Sequence, residues 1–378
     1  MLASRTDAAS GSSNEPFAAH TLGVEEELFL VEPSTLEPVP CDEQLLGECR
    51  FTRGRVVEEM CDGVVELVSP VCHTAAEGVG TLAALRGRIL RSGPRALLGA
   101  GVHPSAAYGD VAYRRSPHYD AVAADVRSLL RQSAYCGLHV HVGMPDRETT
   151  IVAFNGMRKW IPLLQALSAN SPFRHGQDTG LASARTVLNH SLPRSGLPRA
   201  FRDWEDFETT QAELCRVAEV ADGSSFWWDM RPHHRLGTLE VRGVDAQSSL
   251  DDVAGIVALI HCLACHEALT ADRHHPAAEI LQEASYRAVR DGLDATLSLG
   301  GPLVPARDLA RRALDIAGGY APALHCSEQL GAVERILADG NGAIRQRRAH
   351  ERGGMPGLLE MLRAETAMQA GSAGERPG

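Results

Sequence analysis

Four short stretches of the chain carry ionisable side chains on alternate residues, with apolar residues between them. They are Leu22-Gly-Val-Glu-Glu-Glu-Leu28, Val64-Val-Glu-Leu-Val68, Gly137-Leu-His-Val-His-Val-Gly143 and Gly237-Thr-Leu-Glu-Val-Arg-Gly243. Successive side chains of a strand point to opposite faces. Glu25 and Glu27 therefore share a face, as do His139 and His141, and Glu240 and Arg242. Leu138, Val140, Val142, Leu239 and Val241 point the other way, into a core. If the four strands share a sheet, one face is apolar and the other crowds carboxylates together. Two carboxylates about 5 Å apart repel by roughly 3 kcal/mol at an effective dielectric near 20. Such a face needs cations, and hard divalent metals holding phosphates meet that need. Glu26 falls on the apolar side with Val24 and Leu28, so it is either paired beneath the sheet or exposed at an edge.

The rest of the chain bounds the architecture. Its 378 residues can bury a large core, and 44% hydrophobic with 22% charged residues is ordinary globular composition. A net charge of −11 argues against a general nucleic-acid binder, while a local cluster of cations could still hold a nucleotide. No apolar run is read as reaching the ~20 residues that span a bilayer, and the first residues lack an apolar leader, so the expectation is a cytoplasmic protein without membrane partners. Nine scattered cysteines suit free thiols. Cys262-Leu-Ala-Cys265-His266 matches a haem-attachment pattern, but it lies inside the apolar stretch from Leu250 to Leu269 and reads as part of a buried helix. Residues 1–18 and 366–378 are expected as disordered tails around a single catalytic domain, 19–365. Strand signals cluster at 21–31, 55–69, 98–103, 136–143 and 236–244, with Asp62-Gly63 as a hairpin turn. Helical spacing covers 75–92, 119–132, 149–169, 206–220, 250–272 and most of 277–365. This order implies an α+β fold: an antiparallel sheet with helices on one face and an open polar face on the other.

Several motifs together resemble the glutamate–cysteine ligase type 2 family, the bacterial carboxylate–amine ligases. They are Gly23-Val-Glu-Glu-Glu27, Glu59 with Glu66, Cys136-Gly-Leu-His-Val-His-Val-Gly143, Ser171-Pro-Phe with Asp178-Thr-Gly180, Ser183-Ala-Arg185, Trp228-Asp-Met-Arg-Pro232, Gly237-Thr-Leu-Glu-Val-Arg242 and Asp245. The resemblance runs over roughly residues 20–365. It implies a glutamine-synthetase-like catalytic fold that binds ATP and divalent metal on the polar sheet face. It also implies γ-glutamyl amide synthesis from L-glutamate, with L-cysteine as the usual acceptor, and leaves homo-oligomerisation open.

The residues supply matching parts. A carboxylate is a poor electrophile, and phosphorylation by ATP makes it an acyl phosphate that an amine can attack. Phosphoryl transfer asks the protein for metals and cationic groups around developing charge. Glu25, Glu27, Glu66, His139 and Glu240 are assigned as ligands for Mg2+ or, given the imidazole, Mn2+. Arg242 is assigned to the transferred phosphate, since its planar fork matches phosphate oxygens. Glu240 and Arg242 are the catalytic assignments; Arg185, Arg231, Glu59 and His141 are candidates for substrate or phosphate binding. Glu59 is also a candidate further ligand or ammonium partner. A phosphotransferase of the guanidino-kinase type, or an inactive nucleotide- or metal-binding regulator, would use the same face. Acceptor-dependent ADP release separates the ligase from both.

Overall fold

The structure is a computed structural model and describes residues 17–50, 53–107, 109, 112–132, 134–270 and 274–368. Of the expected tails, residues 1–16 and 369–378 lie outside the described residues; the last helix continues through Met368, with Thr366 buried.

The alternating stretches do form one sheet. Its strands are β1 (Leu22–Val31), β2 (Arg55–Glu58), β3 (Val64–Val68), β4 (Ala96–Leu98), β5 (Gly137–Gly143), β6 (Met230–His233) and β7 (Thr238–Asp245). The order is β6-β7-β5-β1-β3-β2, with β4 also paired to β1. Every pairing is antiparallel. β2 and β3 make the expected hairpin, with Asp62-Gly63 inside a five-residue connection from Glu59 to Gly63. The short strand β6 was not expected; Pro232 within it suits an edge position.

One face of the sheet carries Val24, Leu28, Val65, Leu67, Leu138, Val140, Val142, Leu239 and Val241, all buried in the main core. The helices Ala75–Arg91, Arg147–Met157, Ile161–Ser168 and Leu250–Thr270 pack against it. The last of these is apolar all round, the pattern of a helix enclosed on every side. Contrary to the sequence reading, it is long and apolar enough to cross a membrane by length and composition; here its residues fill the core, covered by the helices Ala306–Gly318 and Ser327–Asp339. Cys262 and Cys265 are fully buried in it, as expected for packing thiols, and all nine cysteines are free. The breakers Gly319 and Gly340 cap these two outer helices.

Glu26 proves to be paired beneath the sheet. Its carboxylate and the Arg86 guanidinium are both fully buried and joined by two hydrogen bonds, one of them from Nε to Oε2 at 2.9 Å. Arg86 also donates to the carbonyls of Ser248 at 2.8 Å, Gln247 at 2.9 Å and Thr366 at 3.3 Å. One side chain thus ties a helix, the central strand, the segment after β7 and the C-terminal helix together. Breaking a buried pair leaves an uncompensated charge. Arg86→Met should lower stability by about 3–5 kcal/mol in urea unfolding, and Arg86→Lys should recover little, because an ammonium cannot reach all five acceptors that the planar fork serves.

Candidate active site on the polar sheet face

Register brings the predicted residues together. Glu25 lies opposite His139, Glu27 opposite Glu66, and His141 opposite Glu240. Cross-strand neighbours of this kind sit within side-chain reach. Donor atoms fall into three overlapping sets, each with all atoms within 4.8 Å of one another: Glu25, Glu66 and His139; Glu25, His141 and Glu240; Glu27, Glu59 and Glu66. Glu59 enters from the β2–β3 connection. The face stays polar only as far as Glu27. Phe29 and Val31, next on the same side of β1, are buried in a second apolar cluster with Leu98 and with Leu358 and Leu362 of the C-terminal helix.

Cations flank one side of this cluster. Arg231 Nε donates to Glu240 Oε2 at 2.6 Å, and Arg242 Nη1 donates to Glu240 Oε1. Arg185 arrives from the first turn of the helix Ala184–His190, which Ser183 caps at its N-terminus. Ser183 is held by Asp245, whose carboxylate also accepts from Ser171 Oγ at 2.7 Å and Asn170 N at 2.9 Å. A register shift between Val241 and Val244 gives β7 one extra residue. The bulge is what allows Glu240 and Arg242 to face the site while Val244 turns to the core and Asp245 to the polar side. Gly137 serves twice: its N–H donates to Glu27 Oε2 at 2.6 Å, and a Cβ there would lie 2.2 Å from Arg185 Nη2.

The electrostatics divide the carboxylates into two kinds. Burial raises Glu27 to about 7, helped by Glu59 and opposed by Arg185 and Arg242. Burial also raises Glu59, and it raises Glu66 well above its ordinary value, with Glu25, Glu59 and Glu27 adding to the shift. Glu240 is the opposite case: burial opposes ionisation, but Arg242 and Arg231 hold its carboxyl well below the usual range. Burial likewise opposes ionisation of Glu25, and His139 and His141 overcome it. Burial and Arg242 lower His139 to about 4, leaving a neutral imidazole.

The residues fit divalent metal. His139 Nδ1 and His141 Nε2 are buried without a hydrogen-bond partner, 3.5 and 3.6 Å from the Glu25 carboxylate. Ring nitrogens left without a hydrogen-bond partner among oxygen donors are suited to metal ligation. All five assigned ligands lie in the three sets, and the sets add His141 and Glu59. Glu240 differs from its assignment in also being clamped by two guanidiniums, and its pair with Arg242 lies on an interior strand of the sheet rather than at an edge.

Beside the carboxylates is a cavity of about 100 Å³. Glu27, Glu59, His139, Arg185 and Arg242 make its charged side; Met60, Val64, Leu130, Tyr135 and Trp227 make its apolar side. Arg185 Nε is buried without a partner here. The apolar wall escaped the sequence reading because it comes from segments distant along the chain, which carry no periodic signal. Asp178, part of a quoted motif, lies on the surface in a bidentate pair with Arg347 at 2.8 Å, as a fastener for the C-terminal helix.

Known proteins share the family and the fold. The sequence profile described as glutamate-cysteine ligase family 2 matches residues 21–372. A protein of Rubrobacter xylanophilus, provisionally named glutamate–cysteine ligase 2-1, is 36% identical over 347 residues, covering 89% of this chain and 92% of its own. Among solved structures, the glutamate–cysteine ligase of Francisella tularensis in complex with AMP superposes with a TM-score of 0.65 at 14% identity, over 95% of this chain and 96% of that one. A bifunctional glutathione synthetase from Pasteurella multocida gives 0.68 at 15% identity, over 94% of this chain and 53% of its own.

Two isosteric substitutions should separate the two kinds of carboxylate. The Glu66 pKa is raised above 4.5, so ionisation favours the unfolded chain at every pH above that value. Glu66→Gln should therefore stabilise the metal-free protein at pH 7–8, by about 1–3 kcal/mol. The Glu240 pKa is depressed, so its contribution is present above 4.5 and lost as pH falls through the folded-state value. Glu240→Gln should destabilise at the same pH by about 3–5 kcal/mol, since it strands two guanidiniums. Denaturant melts at pH 8 and pH 4 check both signs. The Glu66→Gln gain should vanish at the lower pH, where Glu66 carries its proton in both states, and the Glu240→Gln loss should shrink. Mn2+ should stabilise the native protein at pH 8, less so at pH 6 as protons compete for Glu27, Glu59 and Glu66, and should stabilise Glu66→Gln less than wild type, since two of the three donor sets lose a ligand.

Proposed function

Because the chain belongs to glutamate–cysteine ligase family 2, we propose that it is an ADP-forming ligase that joins the γ-carboxyl of L-glutamate to the amine of L-cysteine or another small L-amino acid through a γ-glutamyl phosphate. The observation that carries this reading is one sheet face on which two imidazoles with unpartnered ring nitrogens and five carboxylates meet the arginines Arg185, Arg231 and Arg242. Glu25, Glu27, Glu66, His139 and Glu240, with His141 and Glu59, would hold Mg2+ or Mn2+, which would supply positive charge to offset that of the transferred phosphate.

The chain's own groups account for the rest. The γ-carboxylate oxygen of glutamate attacks the γ-phosphorus of ATP, and the bond to the ADP oxygen breaks. Arg242 and Arg185 face the cavity where negative charge develops and are fixed before the substrates arrive, so they need no reorganisation during transfer. The acceptor amine then adds to the acyl carbon and phosphate leaves. Glu59 is positioned to meet an ammonium group at the cavity edge. Arg185 Nε, buried and unpartnered, suits a carboxylate oxygen of a substrate. The apolar wall of Met60, Val64, Leu130 and Trp227 suits a small uncharged side chain and offers no cation to a charged one.

The test is a screen of L-glutamate and ATP against small amines under reducing conditions, with product masses and nucleotides read together. The expected product is the acceptor plus one glutamyl residue, with one ADP per bond; AMP and pyrophosphate would overturn the acyl-phosphate route. Glu27→Gln should abolish turnover while the protein stays folded, and wild-type rates would reject its ligand role. Apolar pockets separate acceptors differing by one methylene by only about 1–3 kcal/mol. Cysteine and at least one thiol-free acceptor such as 2-aminobutyrate should therefore both react. Rejection of every thiol-free isostere by more than about 10⁴-fold would mean the pocket reads sulfur directly.

A further inference from the structure

Arg242 and Gly243 stand at the bulge of β7, and both of their N–H groups donate to a single acceptor, the carbonyl oxygen of Asp229, at 2.7 and 2.8 Å. The Asp229 N–H is itself tied to the Gly196 carbonyl at 3.0 Å. Its carboxylate is 1% exposed, and both oxygens lie 2.9 Å from His190 Nε2. His190 closes the helix whose second residue is Arg185. Arg185 Nη2 in turn donates to the Arg242 carbonyl at 3.2 Å. The contacts form a closed ring: Arg242, Asp229, His190, the short helix, Arg185 and back to Arg242. Gly243 is part of it, since a Cβ there would meet the Asp229 Cβ at 2.9 Å.

We propose that the His190–Asp229 pair is a positioning brace for the arginines Arg242 and Arg185, acting through the Asp229 carbonyl that anchors the β7 bulge. Neither residue lines the cavity beside the carboxylates. They line a separate cavity of about 550 Å³ with Val187, Leu197 and Tyr286, on the other side of the short helix. That cavity gives the brace its leverage. A buried carboxylate that loses its partner is drawn toward solvent, and here it can swing into the open cavity. The swing takes the Asp229 carbonyl away from the two bulge amides and releases the backbone that aims Arg242. Burial opposes protonation of His190, but Asp229 overcomes it and holds the imidazole above its ordinary range, so the pair is charge-assisted. Arg231, two residues after Asp229 on β6, is carried by the same backbone.

The bulge amides report the brace whatever reaction the protein catalyses. His190→Phe keeps the ring shape and removes the donor; His190→Gln keeps a donor. Hydrogen exchange at Arg242 and Gly243 should accelerate at least about 10-fold in His190→Phe, with the β1–β3 ladder unchanged and His190→Gln close to wild type. Misplacement by about 1 Å costs on the order of 100-fold in rate. In the ligation assay His190→Phe should accordingly lose about that much kcat with KM values moved less than about 3-fold, and His190→Gln should stay within about 5-fold of wild type. Should His190→Phe not fold, Asp229→Asn, which removes the charge and keeps an acceptor, should show intermediate exchange. Wild-type exchange in His190→Phe, or in Asp229→Asn where His190→Phe does not fold, overturns the brace, as does an equal kcat loss in His190→Phe and His190→Gln. The kinetic arm rests on the proposed ligation. If the wild-type protein forms no γ-glutamyl amide, that reading fails by itself and the exchange data alone decide the brace.

Discussion

Repulsion among buried carboxylates shapes this molecule more than any attractive contact. Glu27, Glu59 and Glu66 converge on one sheet face, with Glu25 beside Glu66, and two ionised carboxylates about 5 Å apart repel by roughly 3 kcal/mol in a protein-like dielectric. No arrangement of apolar packing relieves that. The relief comes from protons, from bound cations or from fixed arginines. The fold uses arginines on the β7 side only, where Glu240 is held ionised between Arg231 and Arg242. On the β3 side Glu66 and Glu59 are left with raised affinity for protons, and therefore for metal. The site is thus polarised along the sheet, with fixed arginines at one side and crowded carboxylates at the other.

Holding such a face together demands a stiff support behind it. The apolar side of the same strands lies on a helix buried along almost its whole length, which is itself covered by a further helical layer. The Glu26–Arg86 pair belongs to that support. It is matched in charge and fully hydrogen-bonded, so it does not compete with the site for cations. Adjacent residues of β1 therefore face opposite environments: Glu25 and Glu27 join the crowded polar face, and Glu26 is neutralised by Arg86 beneath the sheet. The strong stabilisation of the rear is what lets the front remain electrostatically unfavourable until ligands arrive.

The β7 bulge is the second structural device on which the site depends. A regular strand would place Glu240, Arg242 and residue 244 on the same face. One extra residue lets Val244 enter the core while Asp245 turns to fasten Ser183, and through it the helix bearing Arg185. Strand irregularity, helix cap and arginine placement are consequences of one local insertion. The fold is shared with proteins of known structure at only 14–15% identity, with TM-scores of 0.65–0.68, which is what a fold defined by such a sheet and its support would tolerate.

The alternation of charged and apolar residues determined, before any coordinates, that these segments are strands with one polar face. Side-chain direction in a strand is a local property with a period of two. For the same reason the sequence determined the helix periodicity, the Asp62-Gly63 hairpin and the grouping of Glu25 with Glu27 and His139 with His141. Tertiary structure alone decided what each charge meets. Glu26 found Arg86 sixty residues away, Glu240 was clamped by Arg231 as well as Arg242, Glu59 and His141 joined the donor sets, and Tyr135, Trp227 and Leu130 closed the cavity wall. Those partners come from different elements at long separation, and no local pattern encodes which of many arginines or aromatics the packing will deliver. Coulomb interactions depend on distance in space and on local burial, and both exist only once the chain has folded.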